Sequence, residues 1–199
     1  MLSCNITHYP IKSKEIARKN NWQVITIKKL ANKLNIGETV LRQCSFYNSD
    51  AITFYNKSQE KYIIVYDNFI KPKERINWTI AHEIGHIALN HFHELNGPSN
   101  ENLILFEDEI MELEADYFAS QLLASPIILY NININNIQQI EYLCGITSSA
   151  ANGRLKHLER WKSYNKISEK ELKLLELFEP FLNELKTTKN SYISQLFFE

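Results

Sequence analysis

The sequence predicts an α+β fold in which a small three-stranded antiparallel sheet packs against helices. Three observations carry that reading. β-Branched and aromatic residues concentrate in 39–47, 51–56 and 61–66, with the polar turns Asn48-Ser49-Asp50 and Lys57-Ser58-Gln59-Glu60 between them. From residue 73 onward the apolar spacing changes to the three- and four-residue steps of helices. A hydrophobic content of 44% over 199 residues supplies one large core, or a core with a small appendage, without covalent staples.

Two short helices open the chain at 13–20 and 26–35, the second with Ile27, Leu30, Ala31 and Leu34 on one face and Gly37 just beyond it; they are expected to pack as a lid. The three strands follow. A helix over 73–90 is then announced by Pro72 at its first position, by Glu74 in the first turn where the helix dipole favours an anion, and by the stripe Ile76, Ile80, Ile84, Ile87. After a polar loop over 92–102 containing Gly97-Pro98, a second strong helix runs over 107–124 and stops at Ser125-Pro126. Shorter helices at 137–144 and 148–161, joined by Gly145-Ile146, and an amphipathic helix at 170–185 complete the fold. The domain division expected is 1–130 for the core and 131–199 for a helical, helix-turn-helix-like appendage.

A formal net charge of -1 gives no general attraction to nucleic acid or to an anionic membrane surface. Cys4, Cys44 and Cys144 are odd in number and widely spaced, and they read as reduced core thiols of a cytoplasmic protein. No continuous apolar leader and no membrane-length apolar run is present, so a membrane partner is not expected. Nothing in the residues fixes an oligomeric state.

Chemistry concentrates at His82-Glu83-Ile84-Gly85-His86. At 3.6 residues per turn, histidines four apart project from one helix face, close enough for both imidazoles to bind one metal ion. Glu83 then sits beside the open coordination position, where it can take a proton from a water. Gly85 costs an interior helix about 1 kcal/mol relative to alanine, and with Ala81 and Ala88 it makes a small-residue strip where another backbone can approach.

Two imidazoles do not complete such a site, and the helix over 107–124 offers the third donor. Glu112 and Asp116 share one of its faces, beside the apolar Met111, Ala115, Phe118 and Leu122. Glu112 is the expected third ligand, with Glu114 as the alternative. Asp116 is placed to accept a hydrogen bond from the non-metal nitrogen of a ligand histidine, His82 in the first instance. Glu107, Asp108 and Glu109 read as a solvated face, and His8 and His157 as structural. His91 and His93 read as surface or capping histidines, with hydrogen-bond donation to the transition state as their alternative role; His91, Tyr117 and Tyr130 are the candidates for an oxyanion or substrate contact.

The stretch from Arg75-Ile76-Asn77-Trp78-Thr79-Ile80-Ala81 through His82-Glu83-Ile84-Gly85-His86-Ile87-Ala88-Leu89 resembles the ImmA/IrrE family of zinc-dependent metallopeptidases, as does Glu112-Leu113-Glu114-Ala115-Asp116-Tyr117-Phe118-Ala119-Ser120-Gln121-Leu122-Leu123-Ala124-Ser125-Pro126. A weaker similarity at Gly145-Ile146-Thr147-Ser148-Ser149-Ala150-Ala151-Asn152-Gly153-Arg154-Leu155 extends the resemblance over about residues 36–160. It implies a zincin-like metallopeptidase core whose sheet packs on the His-Glu-x-x-His helix, with one Zn2+ per chain. It also implies a site-specific cytoplasmic endopeptidase whose protein substrate is a partner helix-turn-helix repressor of a phage or mobile element. The extended substrate is expected to add to an edge of the 39–66 sheet.

Two other readings compete. The chain could keep zinc for structure and regulate by gripping its partner, although a structural site has no use for Glu83. Residues 137–162 could instead bind DNA through Arg154, Lys156, Arg160 and Lys162. That basic cluster is small, and Leu155, Leu158 and Trp161 read as core positions, so DNA contact is not expected.

Overall fold

The computed structural model describes residues 8–46, 49–94, 109–164 and 166–187. In chain order its elements are α1 (Ser13–Lys19), β1 (Gln23–Thr26), α2 (Ile27–Leu34), α3 (Glu38–Ser45), β2 (Ala51–Asn56), β3 (Lys61–Tyr66), α4 (Lys73–Ala88), α5 (His91–Glu94), α6 (Glu109–Leu123), α7 (Pro126–Asn131), α8 (Ile137–Cys144), α9 (Ser148–Ser163) and α10 (Glu169–Thr187). They pack as two compact units, one formed by Lys12–Ala119 and the other by residues 8–11 together with the chain from Ser120 onward.

The sheet of the first unit has three strands in the order β1-β3-β2, but it is mixed: β2 pairs antiparallel with β3, and β1 pairs parallel with it. The expected strand at 39–47 is instead helix α3. Gly37 caps that helix without a side chain, Glu38 lies in its first turn, and Arg42 reaches back to the Glu38 carboxylate at 3.1 Å. These helix-directed interactions outweigh the weak β preference of Thr39 and Val40. Arg42 also meets Asp67 at 3.0 Å, fixing α3 to the end of β3. The true third strand is the four-residue Gln23–Thr26, and Thr26 ends it by turning its hydroxyl to cap α2 through the Lys29 amide.

Side-chain alternation gives the sheet two different faces. Ile25, Ile63 and Val65 point to one side and form a core with Ile27 and Ala31 of α2 and with Leu41 and Phe46 at α3, while Ile52 and Phe54 pack against it. In the β2–β3 register Thr53 stands opposite Ile64 and Ala51 opposite Tyr66, so these residues share the other face. α4 packs on β2 and β3. Helix α1 is held to α4 by Ser13, whose amide donates to Asn77 Oδ1 at 2.9 Å and whose hydroxyl donates to the Asn77 carbonyl at 2.8 Å.

In the second unit Arg154 is buried, donating from Nε and Nη2 to the Ala124 carbonyl at 3.0 and 2.7 Å and from Nη1 to Ser120 Oγ at 3.0 Å. Helices α8 and α9 are joined through Gly145, whose φ of 61° is the left-handed conformation that suits glycine. Leu158 is fully buried, whereas Leu155 and Trp161 are half-buried. Tyr9 packs its ring on Phe178 and Phe181 and accepts a hydrogen bond from the Ser125 amide. Cys144 is a buried free thiol. The polar loop expected after α4 falls largely outside the described residues. Among the described residues no helix is long and apolar enough to cross a membrane.

Candidate metal centre

Helix α4 is buried along most of its C-terminal half, including Ile80, Ala81, Glu83, Ile84, Gly85, His86 and Ile87. Such a helix needs a neighbour without bulk, and Gly85 provides for it. A Cβ at position 85 would stand 3.1 Å from both Cα and the carbonyl oxygen of Ala115, so α4 and α6 meet backbone to backbone at that point. The contact brings Glu112, Glu114 and Asp116, which flank Ala115, beside the histidines of α4.

Three donor groups converge there. His82 Nε2 lies 3.0 Å from His86 Nε2 and 3.0 Å from Glu112 Oε2, and His86 Nε2 lies 3.3 Å from Glu112 Oε1. One ligand atom from each of His82, His86 and Glu112 lies within 4.8 Å of the others. In a tetrahedral zinc site with about 2.0–2.1 Å Zn–N bonds, two ligand nitrogens stand roughly 3.3 Å apart. The set is therefore already at ligand spacing. Lone pairs aimed at one another across such distances repel unless a cation or a proton lies between them, so the donor chemistry fits a divalent ion.

The flanking contacts fix which ring nitrogen faces inward. Asp116 Oδ1 lies 2.9 Å from His82 Nδ1, so the carboxylate accepts that N–H and leaves Nε2 free to ligate. The Asp116 carboxyl is held below the usual range, first by this hydrogen bond and further by one from the Trp78 side chain, against the opposing effect of burial. Burial disfavours the charged form of His82, but the Asp116 hydrogen bond and the Glu83 and Glu112 carboxylates outweigh it and raise its pKa. Burial and the neighbouring His82 and His91 rings push His86 down to about 3, keeping it the neutral imidazole that a metal requires.

Glu83 is buried at 7% exposure, and its Oε2 accepts a hydrogen bond from Thr53 Oγ1 at 2.6 Å. Burial raises its pKa, opposed by the Thr53 hydrogen bond and by His82. A basic carboxylate beside a metal position has the proton affinity that a general base needs.

The structure brings His82, His86, Glu112, Glu83 and Asp116 together. His91 is not on the surface: it is 2% exposed, with Nδ1 at 2.9 Å from His86 Nδ1 and Nε2 at 3.1 Å from Glu114 Oε2. Glu114, the alternative ligand, is thus turned to His91, while Glu112 faces the two Nε2 atoms. Tyr117 is 61% exposed on α6, and Tyr130 stacks on Trp161 in the second unit. The side chain of His93 lies outside the described residues. Sequence reasoning missed Thr53 and the Trp78 contact. Period-two alternation in β2 could have placed Thr53 on the face shared with Ile64, but only once β2 was known to lie against α4.

Two α4 histidines bracketing a buried glutamate, completed by a carboxylate from a helix that crosses at a glycine, form the donor set of a metallopeptidase. The chain belongs to the peptidase M78 family, whose IrrE N-terminal-like domain matches residues 36–135, just over half of its length. That span includes α4 and the acidic turns of α6. No curated protein matches the chain at a significant level.

Proposed function

We propose that this chain is a zinc-dependent endopeptidase that holds one Zn2+ through His82, His86 and Glu112 and uses Glu83 as its general base. The observation that carries this reading is the buried Glu83 carboxylate beside the donor cluster, steadied by Thr53. A site serving structure alone needs ligands and gains nothing from an adjacent buried acid, whose burial is costly. When bound, zinc supplies Lewis acidity towards the scissile carbonyl and acidifies water. Glu83 takes the proton from the attacking water and delivers it to the leaving amine. Asp116 holds His82 in its ligating tautomer throughout.

An extended peptide would lie along β2, the edge strand that carries Thr53, using main-chain hydrogen bonds for alignment. The resemblance of the α4 and α6 motifs to the ImmA/IrrE family supports a cytoplasmic helix-turn-helix repressor, of the kind encoded on phages and mobile elements, as the cleaved partner. The burial of Arg154 removes one of the four basic residues of the 137–162 segment from any DNA-facing surface, which favours cleavage over DNA binding. The test is incubation of the zinc-loaded protein with helix-turn-helix repressors of the phage and mobile-element type, followed by mass spectrometry. Cleavage at a single bond, lost in Glu83→Gln, is the expected outcome. An intact repressor with the wild-type protein would defeat the substrate assignment, and intact unstructured peptides as well would defeat the peptidase reading.

A further inference from the structure

Each ring nitrogen of His91 has a partner, and the two partners have different chemistry. Glu114 is a carboxylate, which when ionised can only accept, so its contact with His91 Nε2 at 3.1 Å requires that nitrogen to carry the hydrogen. A neutral His91 with Nε2–H presents a bare lone pair at Nδ1. That lone pair faces His86 Nδ1 at 2.9 Å, and two bare nitrogens at this distance would repel. Beside a neutral His91, His86 then donates its Nδ1–H to it, which leaves its own Nε2 unprotonated and aimed at Glu112 and at His82 Nε2.

We infer that His91 and Glu114 are positioning residues that lock His86 into its metal-ligating tautomer through a three-member chain of hydrogen bonds, Glu114 to His91 to His86. The inference rests on the metal site proposed above. It gives the two ligand histidines parallel arrangements of unequal length: His82 Nδ1 is held by a carboxylate directly, and His86 Nδ1 is held by a carboxylate through an intervening imidazole. Both carboxylates come from α6, two residues apart, on either side of Ala115 where the helix touches Gly85. The backbone supports the arrangement. Asn90 adopts a φ of 66° immediately after α4, the left-handed conformation that asparagine tolerates at a helix end. The turn reverses the chain so that His91, five residues beyond His86, comes back beneath it with its ring centroid 5.0 Å away.

The experiment has two readouts. In metal-free protein, long-range 15N–1H correlation spectra of labelled histidines report which nitrogen of His86 is protonated. Competition with a chromophoric chelator reports the zinc affinity. Wild type should show His86 as the Nδ1–H tautomer. His91→Leu should lose that preference and bind zinc about 10- to 100-fold more weakly, the range seen when an outer partner of a ligand is removed. His91→Gln, whose amide oxygen can still accept from His86, should recover part of both. Because position 91 is buried, the 57%-exposed Glu114 supplies the second variant. Glu114→Ala should shift the tautomer balance and weaken zinc binding by a smaller factor while leaving the thermal melt unchanged. An unchanged tautomer and unchanged affinity in both His91→Leu and Glu114→Ala would overturn the inference. Wild-type protein that binds no zinc would defeat the metal reading instead, and the tautomer spectra would still decide whether the chain of hydrogen bonds sets His86.

Discussion

Glu83 and Arg154 are nearly equally buried, at 7% and 5% exposure, yet their surroundings differ in kind. Arg154 is met by the carbonyl that follows α6 and by a hydroxyl of that helix's last turn, where the negative end of the helix dipole also favours a cation. A buried charge with such partners serves the fold. Glu83 has Thr53 as its hydrogen-bond donor and stands beside the candidate metal ligands, and burial works against its ionised form. That environment is the one the proposed general base requires. Environment, and not depth, separates the charge that stabilises from the charge proposed to react.

Four measurements test this contrast. The largest effect belongs to Glu83→Gln, which should lower peptide cleavage by about 10^3-fold, within the range for removal of a general base. Its metal-free form should melt no lower than wild type. Glu83 has a folded pKa above its unfolded value, so at neutral pH its ionised form costs the folded state stability, and glutamine removes that cost. A clear fall in melting temperature would place Glu83 among the structural charges. Next, Arg154→Met should cost about 3 kcal/mol in urea denaturation, because it removes charge-assisted hydrogen bonds and leaves the Ala124 carbonyl without its donor. A loss below about 1 kcal/mol would show those bonds to be dispensable.

Thr53→Val should act mainly on chemistry. Thr53 donates to the Glu83 carboxylate and so lowers its pKa; without that bond the pKa rises, and the acidic limb of the pH–rate profile should move to higher pH. A limb that stays in place would detach Thr53 from the base. The smallest effect concerns Cys144, whose thiol burial pushes up to about 12. Alkylation at pH 8, followed residue by residue in mass spectra, should spare Cys144 until urea unfolds the chain.

The parts of the site that were legible in the sequence are those that one helix sets by itself. The spacing of His82, Glu83 and His86, and that of Glu112 and Asp116, follows from the helical period whatever surrounds it. Thr53 and the Glu114–His91 pair were not legible. Their positions depend on strand register and on the reversal at Asn90, which join residues 30 and 23 positions apart in sequence. The fold shows the same division. Helices α2, α4 and α9 followed from apolar spacing and end signals, whereas the sheet was misread. Its third strand, Gln23–Thr26, is too short to show alternation and pairs in parallel with a strand far along the chain. The β-branched pair Thr39-Val40, which suggested a strand, sits on a helix held by the Glu38–Arg42 ion pair.

The approach of α6 to α4 at Gly85 works as a hard stop. The depth to which the acidic helix can sink is limited by main chain meeting main chain, a dimension that does not change when residues facing away from the seam are exchanged. Ile110, Leu113 and Tyr117, all exposed on α6, can therefore be exchanged without changing how closely the two helices approach. The outer face of α6 and the spacing of the donor cluster are thus set independently, and a single methyl group on Gly85 would be enough to couple them.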